Sequence, residues 1–296
     1  MLGKVLTVSF MLTLAIQFAS AADAVPSRAN LSASDIVERN IAARGGLQAW
    51  RSVKTISWTG RLGAGGNQRL PVPEVPAGKR AALLPTDPRP KDEVQLPFSM
   101  QMQRPRKVRF EIQFKGQTAV QVYNGANGWK LRPYLNRLEV EPFTAEELRI
   151  ASTQAELDGS LVDYADKGTR IELDGIEKVE DHDAYKLKLI MKDGRTTHVW
   201  IDTQTFLEAK IEGQPRRLDD VEHPVEVYYR DYRPVSGLQI PFVLETKVLP
   251  VANAGIKLDR IPVQAEKIII DKVAVNPNLE ESLFLKPQIQ TASIRR

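Results

Sequence analysis

The sequence predicts a mostly β protein of the α+β class, with an antiparallel meander of about eleven or twelve strands. One helix precedes the strands and a helical insertion interrupts them. Strict alternation of apolar and polar residues is the main observation, and residues 107–114 are typical of a half-buried strand. Strands and helices do not alternate along the chain, which argues against a parallel α/β fold. No repeat of fixed period is evident, which argues against a propeller.

Composition excludes several classes of protein. With 296 residues, 42% hydrophobic and 26% charged, the chain is an ordinary globular protein. It has no cysteine, which excludes disulfide scaffolds, thiolate metal sites, cysteine nucleophiles and an acylated N-terminal cysteine. The net charge of +4 gives no reason to expect nucleic acid as a partner. With only three histidines, no metal centre is expected, and no cofactor is predicted.

Residues 1–21 have the features of a cleaved secretory signal. Lys4 provides the positive start, an apolar run follows, and Ala19-Ser20-Ala21 has the small-x-small pattern of a cleavage site. The apolar run is short for a membrane-spanning helix. We therefore expect a periplasmic protein whose mature chain starts near Ala22, with residues 22–31 forming a flexible N-terminal segment.

The first regular elements are a helix and a strand. Residues 32–51 predict the helix, which Ser32 or Ser34 can cap and which Gly45-Gly46 stops. A strand over 54–63 follows. Residues 64–97 contain seven prolines and are therefore expected to form a long, exposed and mobile loop.

The rest of the chain predicts strands with one helical interruption. Thr144 and Glu147 have the spacing of a capping box, which predicts a helix over 144–157, and a short helical turn is expected over 159–164. The predicted strands are at about 98–103, 107–114, 118–123, 129–132, 169–180, 184–192, 195–202, 206–213, 225–234, 239–249 and 263–275.

A search for catalytic motifs finds none. The chain has no nucleophile elbow, phosphate-binding loop, H-E-x-x-H helix or calcium-binding loop. Gly63, Gly65 and Gly66 are spaced wrongly for a dinucleotide site, and His198 falls on the polar side of its strand. The chain is therefore predicted not to be an enzyme, although a mechanism that uses only carboxylates stays open.

The densest positive cluster lies at residues 104–109. It has two interpretations, a polar strand face or a surface that attracts an anionic headgroup or membrane. Nucleic acid is not expected there, because the cluster lacks interleaved exposed aromatic residues.

Four stretches, in their order and spacing, resemble the LolA-like superfamily of periplasmic lipoprotein carriers, specifically its larger outer membrane lipoprotein-sorting branch. They are Asp35-Ile36-Val37-Glu38 with Arg44-Gly45-Gly46-Leu47 and Trp50; Pro105-Arg106-Lys107-Val108-Arg109 with Asn124-Gly125-Ala126-Asn127-Gly128-Trp129; Gly159-Ser160-Leu161-Val162-Asp163-Tyr164 with Lys167-Gly168; and Tyr229-Arg230-Asp231-Tyr232-Arg233-Pro234-Val235-Ser236-Gly237 with Pro241.

The resemblance implies both a fold and a function. The fold is an unclosed, curved antiparallel β-barrel with a helical lid, formed by one half-barrel domain over 32–285 that carries the proline-rich insertion 64–97, with a tail at 286–296. The implied function is a periplasmic carrier that binds acyl chains of lipoproteins or lipids in an apolar cavity for transport toward the outer membrane. Membrane donor and acceptor proteins are candidate partners.

The expected ligand site consists of the apolar residues on consecutive strands and on the helical insertion. The predicted lining residues are Trp58, Met100, Met102, Phe110, Ile112, Val120, Val122, Leu148, Ile150, Leu187, Leu189, Val199 and Ile201. Arg61 and Arg109 are candidates for binding a headgroup, by the resemblance to small carriers that have an arginine inside the cavity.

Several alternatives stay open at this point. The same apolar residues could form a filled core rather than line a cavity. On the same fold, the protein could be a lipid-sensing, regulatory interaction module. Alternating strands also permit an outer-membrane barrel, against which the low aromatic content of 7% and the two helical segments argue.

Overall fold

One large antiparallel sheet dominates the protein, which we describe from a computed structural model. The structure describes residues 31–65, 93–133, 137–218, 221–251 and 265–288. The helices are α1 (Ala33–Ala43), α2 (Leu47–Ser52) and α3 (Ala145–Gln154), and a 3-10 turn spans Glu281–Phe284. The strands are β1 (Thr55–Gly65), β2 (Glu93–Gln103), β3 (Lys107–Phe114), β4 (Gln117–Asn124), β5 (Gly128–Arg132), β6 (Arg137–Pro142), β7 (Arg170–Val179), β8 (His182–Ile190), β9 (Thr196–Asp202), β10 (Glu208–Glu212), β11 (Arg216–Leu218), β12 (Val221–His223), β13 (Val225–Val235), β14 (Leu238–Val248) and β15 (Glu266–Val275).

Thirteen of the strands form the main sheet, in the order β6-β5-β4-β3-β2-β1-β15-β14-β13-β10-β9-β8-β7, and β11 pairs with β12 in a separate hairpin. Most neighbours in the sheet are consecutive in the chain and pair antiparallel, as in a meander. The sheet is not closed into a barrel, and the predicted fold class is confirmed: a mostly β protein with a large, unclosed antiparallel sheet and few helices.

Alternation gives the sheet two faces, which we name by their residues. The inner face carries Trp58, Met100 and Phe110 and packs against α2, whereas the outer face carries Arg109 and Val122. Directly opposite residues in paired strands lie on the same face, so the strand register assigns each paired residue to one of the two faces.

The helix α1 begins at a capping box and ends at a required glycine. The Ser32 hydroxyl accepts a hydrogen bond from the Asp35 N–H, and the Asp35 carboxylate accepts one from the Ser32 N–H. Gly45 has a φ of +112°, and a Cβ there would lie 2.3 Å from the Gly237 carbonyl oxygen. This close approach positions the α1–α2 connection against the turn between β13 and β14.

Two expected boundaries need correction. Of the predicted loop 64–97, residues 64–65 belong to β1 and 93–97 to β2, while residues 66–92 lie outside the described part of the chain. Pro97 fits in β2 because it pairs with Arg61 on one side, whereas the β2–β3 ladder begins only at Phe98. No N–H is therefore needed from this proline on its β3 side.

The helical insertion is shorter than predicted. The Thr144–Glu147 capping box is present and α3 ends at Gln154, but 159–164 is a series of turns instead of helix. Sequence reasoning also missed three short strands, β6, β11 and β12. Each has only three to six residues, so alternation has too few positions to be recognised.

Candidate functional site

An apolar row crosses the centre of the inner face. Trp58 in β1 lies directly opposite Met100 in β2, which in turn lies directly opposite Phe110 in β3. All three side chains are half-buried and pack against the same apolar cluster. The three residues share one face, because the three strands are paired in the register that alternation requires.

Further apolar residues, on these strands and on β14 and β15, adjoin this row. Ile112 lies opposite Phe98, whose ring centroid is 5.8 Å from that of Phe110. From the other side, Leu244 in β14 lies opposite Ile268 in β15. We call the half-buried set the open apolar face; it comprises Trp58, Leu62, Met100, Phe110, Ile112, Leu244 and Ile268.

The other end of the inner face is closed by α2 and by the turns after α3. Ile56 and Met102 lie opposite each other there and are 0% and 4% exposed. Trp50 from α2 and Leu157 and Val162 from the turns are buried in the same cluster. Met102 therefore belongs to a filled core. The half-buried Met100 is the next residue on the same face of β2.

Four predicted lining residues on β8 and β9 also belong to a filled core. Leu187 lies opposite Val199, and the register through β10 and β13 puts both on the inner face. Leu187, Leu189, Val199 and Ile201 are each at most 2% exposed. For these four residues the structure favours the filled-core alternative over an open cavity.

Val120 and Val122 lie on the outer face, so their expected placement beside Phe110 is wrong. Val122 is opposite Arg109, whereas Phe110 is opposite Gln121. Both valines are buried in a second apolar cluster, with Phe284 from the C-terminal 3-10 turn. Apolar alternation in β4 therefore reflects a core on the outer face, which only the distant C-terminal segment completes.

The helix α3 contributes one of its two predicted residues to a core. Leu148 packs against the cluster of Tyr123, Ala151 and Ala155. Ile150 is half-buried on the same helix and is not part of that cluster. The helix thus covers β4 and β5, at one edge of the sheet, rather than the open apolar face.

The headgroup assignment of Arg61 and Arg109 needs correction. Both residues alternate with inner-face residues and therefore lie on the outer face. Arg61 is paired with Asp271 at 3.0 Å, and Arg109 with Glu111 at 2.6 Å. Neither guanidinium can contact a ligand that lies on the open apolar face.

The basic segment 104–109 is neutralised by acidic partners. Arg104 pairs with Asp158, Arg106 with Glu156, and Lys107 with Glu281. A surface for anionic headgroups needs unpaired cations, so these contacts favour the structural interpretation of the segment.

Asp158 is the centre of a buried ionic cluster at the closed end. Its side chain is only 2% exposed and accepts hydrogen bonds from Arg104 Nη2 at 2.7 Å and Lys167 Nζ at 2.6 Å. Its main-chain carbonyl accepts one from Arg44, which also pairs with Glu208. The cluster connects the turns after α3 to the β2–β3 turn and to the end of α1.

Acid is expected to weaken the ion pair between β13 and the β7–β8 turn. Hydrogen bonds from Arg230 lower the pKa of Glu180 from 4.5 to about 2. A depressed pKa adds stability above pH 4.5 that is lost as the pH falls toward 2. Glu180 is 44% exposed, so solvent screening limits this contribution to under about 1 kcal/mol.

A comparison of wild-type protein with Glu180→Gln checks this. Between pH 5 and pH 2 the unfolding free energy of the wild type should fall more steeply, by less than about 1 kcal/mol. Parallel acid profiles would contradict the assignment.

Neither a metal centre nor a membrane-spanning helix is found in the described ranges. No group of three or more His, Asp or Glu side chains there is arranged to hold a metal ion. No described helix has the length and apolarity to cross a bilayer. His198, which the sequence placed on the polar side of its strand, is on the outer face. Its Nδ1 lies 2.8 Å from Glu212 Oε1.

Comparison with solved structures identifies the fold. A LolA superfamily protein from Nitrosomonas europaea superposes with a TM-score of 0.51 at 12% identity, over 87% of this chain and 99% of that one. The chain has a LolA-like fold.

Two further structures are similar to this LolA-like chain. A DUF1329 family protein from Desulfovibrio piger has a TM-score of 0.50 at 12% identity, over 86% of this chain and 98% of that one. A putative outer membrane lipoprotein-sorting protein domain from Vibrio parahaemolyticus has a TM-score of 0.48 at 12% identity, over 84% and 94%. No protein-family profile and no curated protein matches the sequence.

Proposed function

We propose that this LolA-like protein is a periplasmic carrier that holds acyl chains of lipids or lipoproteins on its open apolar face, for transport toward the outer membrane. The observation that carries the proposal is the difference in burial between the closed end and the open apolar face. At the closed end Ile56 is 0% exposed, whereas Trp58, Met100 and Phe110 in the centre are only half-buried. Soluble proteins rarely leave a contiguous apolar surface incompletely covered without a ligand for it.

The chemistry of this face suits a hydrocarbon chain. Its members are aromatic, aliphatic and thioether side chains, and Met100 can change rotamer to fit chains of different shape. Each buried methylene contributes about 0.8 kcal/mol, so ten would contribute about 8 kcal/mol before the cost of association is subtracted. Such a gain suffices for carriage without any catalytic group.

Binding is proposed rather than catalysis because the most deeply placed charged groups are engaged in pairing. Asp158 is held by Arg104 and Lys167, and Arg44 by Glu208. These contacts connect segments of the closed end. Localisation in the periplasm rests on the predicted signal at residues 1–21, which lie outside the described part of the chain.

Truncation of Phe110 tests the proposal. Phe110→Ala is expected to weaken binding of a fluorescent fatty acyl probe at least about tenfold, because the ring contributes much of the central contact area. Its unfolding free energy should fall by less than the about 3–5 kcal/mol typical of a tightly packed phenylalanine, since the side chain is half-buried.

Probe titration and urea denaturation on the same preparations measure both quantities. The matched control is Phe284→Leu, a smaller change in the outer-face core. It should bind the probe as the wild type does. Severe destabilisation by Phe110→Ala, together with no probe binding by the wild type, would contradict the carrier proposal.

A further inference from the structure

One polar atom interrupts the open apolar face. The indole Nε1 of Trp58 is buried and has no hydrogen-bond partner within the part of the chain that the structure describes. A buried N–H without an acceptor is destabilising, and the N–H of a buried tryptophan usually has a partner. A phenylalanine at position 58 would avoid this penalty, because its smaller ring has no N–H.

The protein satisfies this requirement at other tryptophans. The indole of Trp50 donates to the Arg44 carbonyl at 3.2 Å, and that of Trp200 donates to Glu177 at 2.9 Å. Trp58 differs because its directly opposite neighbours, Met100 and Val273, offer no oxygen or nitrogen acceptor in their side chains.

We infer that the Trp58 N–H is the hydrogen-bond donor for an uncharged carbonyl of the bound ligand, so that the preferred ligand is an acyl ester rather than a plain hydrocarbon chain. The inference rests on the proposed function, because the carbonyl reaches Trp58 only when its acyl chain lies along the open apolar face. Met100, directly opposite, is a flexible thioether that can move aside for the ester.

The placement of Arg61 and Arg109 favours an ester over an ionised carboxylate. A carboxylate on an apolar surface needs a cation, and Arg61 and Arg109 are both on the outer face in ion pairs. An ester needs only one donor, which the indole provides. Acyl esters occur both in phospholipids and in lipoproteins that carry a diacylglyceryl group.

The test compares two ligands of similar size on the full-length mature protein and on Trp58→Phe. Methyl decanoate carries an ester, whereas 1-chlorodecane has the same chain length without a carbonyl, and each displaces the uncharged fluorophore N-phenyl-1-naphthylamine. The ratio of the two affinities is expected to fall about three- to tenfold in the variant, because one hydrogen bond is lost. The smaller ring weakens both ligands alike and leaves this ratio unaffected.

A spectroscopic measurement on the wild type gives a second readout. The Trp58 indole ¹H–¹⁵N resonance, assigned in the wild type from its NOEs to the Met100 and Val273 side chains, should move downfield with methyl decanoate and stay in place with 1-chlorodecane. This resonance reports on the hydrogen bond directly, even if the variant folds poorly.

The outcomes separate the two proposals. Binding of both ligands with an unchanged affinity ratio and a stationary indole resonance overturns the inference and leaves the carrier function standing. Binding of neither ligand by the wild type overturns both. Competition by a diacyl phosphatidylethanolamine and by a synthetic triacylated lipopeptide then identifies the source of the ester. If Trp58→Phe weakens neither competitor, the inference is overturned for both sources.

Discussion

Replacing Leu187 by alanine is expected to lower the unfolding free energy by about 3–5 kcal/mol and to leave the affinity for an acyl chain unchanged. Leu187 is 0% exposed and lies opposite Val199 in the filled part of the inner face. Removing its side chain leaves a cavity in packing that cannot fully collapse, which makes the loss large. Urea denaturation and titration of the folded protein with a fluorescent fatty acyl probe measure the two quantities.

The contrast with Phe110→Ala makes this prediction informative. Both residues lie on the same face of one sheet, but only Phe110 belongs to the open apolar face. A Leu187→Ala protein that loses probe binding and keeps nearly all of its stability would place the ligand on β8 and β9 instead.

Asp158→Asn is expected to lower the unfolding free energy by about 3 kcal/mol. The carboxylate is 2% exposed and neutralises both Arg104 and Lys167, which are themselves 30% and 17% exposed. Removing the negative charge leaves Arg104 without its carboxylate partner, whereas Lys167 keeps a second one, Glu156, at 3.6 Å. The partial exposure of Arg104 puts the effect at the lower end of what breaking a buried pair costs.

The matched control for Asp158→Asn is Asp271→Asn. Asp271 pairs with Arg61 on the surface, where both side chains are about half exposed, 48% and 50%. That change should cost less than about 1 kcal/mol. Equal effects of the two substitutions in chemical denaturation would show that the Asp158 cluster does not hold the closed end together.

The sequence predicted the faces of β1, β2 and β3 because alternation there has only one explanation. In β3 the charged residues Lys107 and Arg109 leave Phe110 and Ile112 for the packed side, and the structure agrees. The capping boxes of α1 and α3 were equally readable, because each depends on two side chains three residues apart.

The same reasoning failed in β4, where the turn fixes the register. Phe114 pairs with Gln117 across the turn, so Ala119 lies opposite Ile112 and Val120 falls on the outer face. The apolar valines there pack against Phe284, more than 150 residues later in the chain. Alternation identifies two faces of a strand, but which face is covered depends on segments that the local pattern does not contain.

The order of the strands in the sheet could not be predicted from the sequence either. β15 pairs with β1 although the two strands stand at opposite ends of the described chain, and this brings Ile268 into the open apolar face. Leu244 was missed for the same reason, whereas Leu62 could be found from β1 alone, because it lies on the same side of that strand as Trp58. Alternation in β14 and β15 signalled strands, but nothing local indicated that they lie beside Trp58.

Photochemical cross-linking tests the central claim most directly. A fatty acid methyl ester with a diazirine in its chain is bound to the protein and irradiated, and the attachment site is located by peptide mass spectrometry. Attachment is expected within 55–62, 98–103 and 107–114, on the residues around Trp58, Met100 and Phe110. Attachment confined to the outer-face cluster around Trp129 and Phe284, or none above that of a short diazirine without the chain, would contradict the proposal that the inner face holds acyl chains.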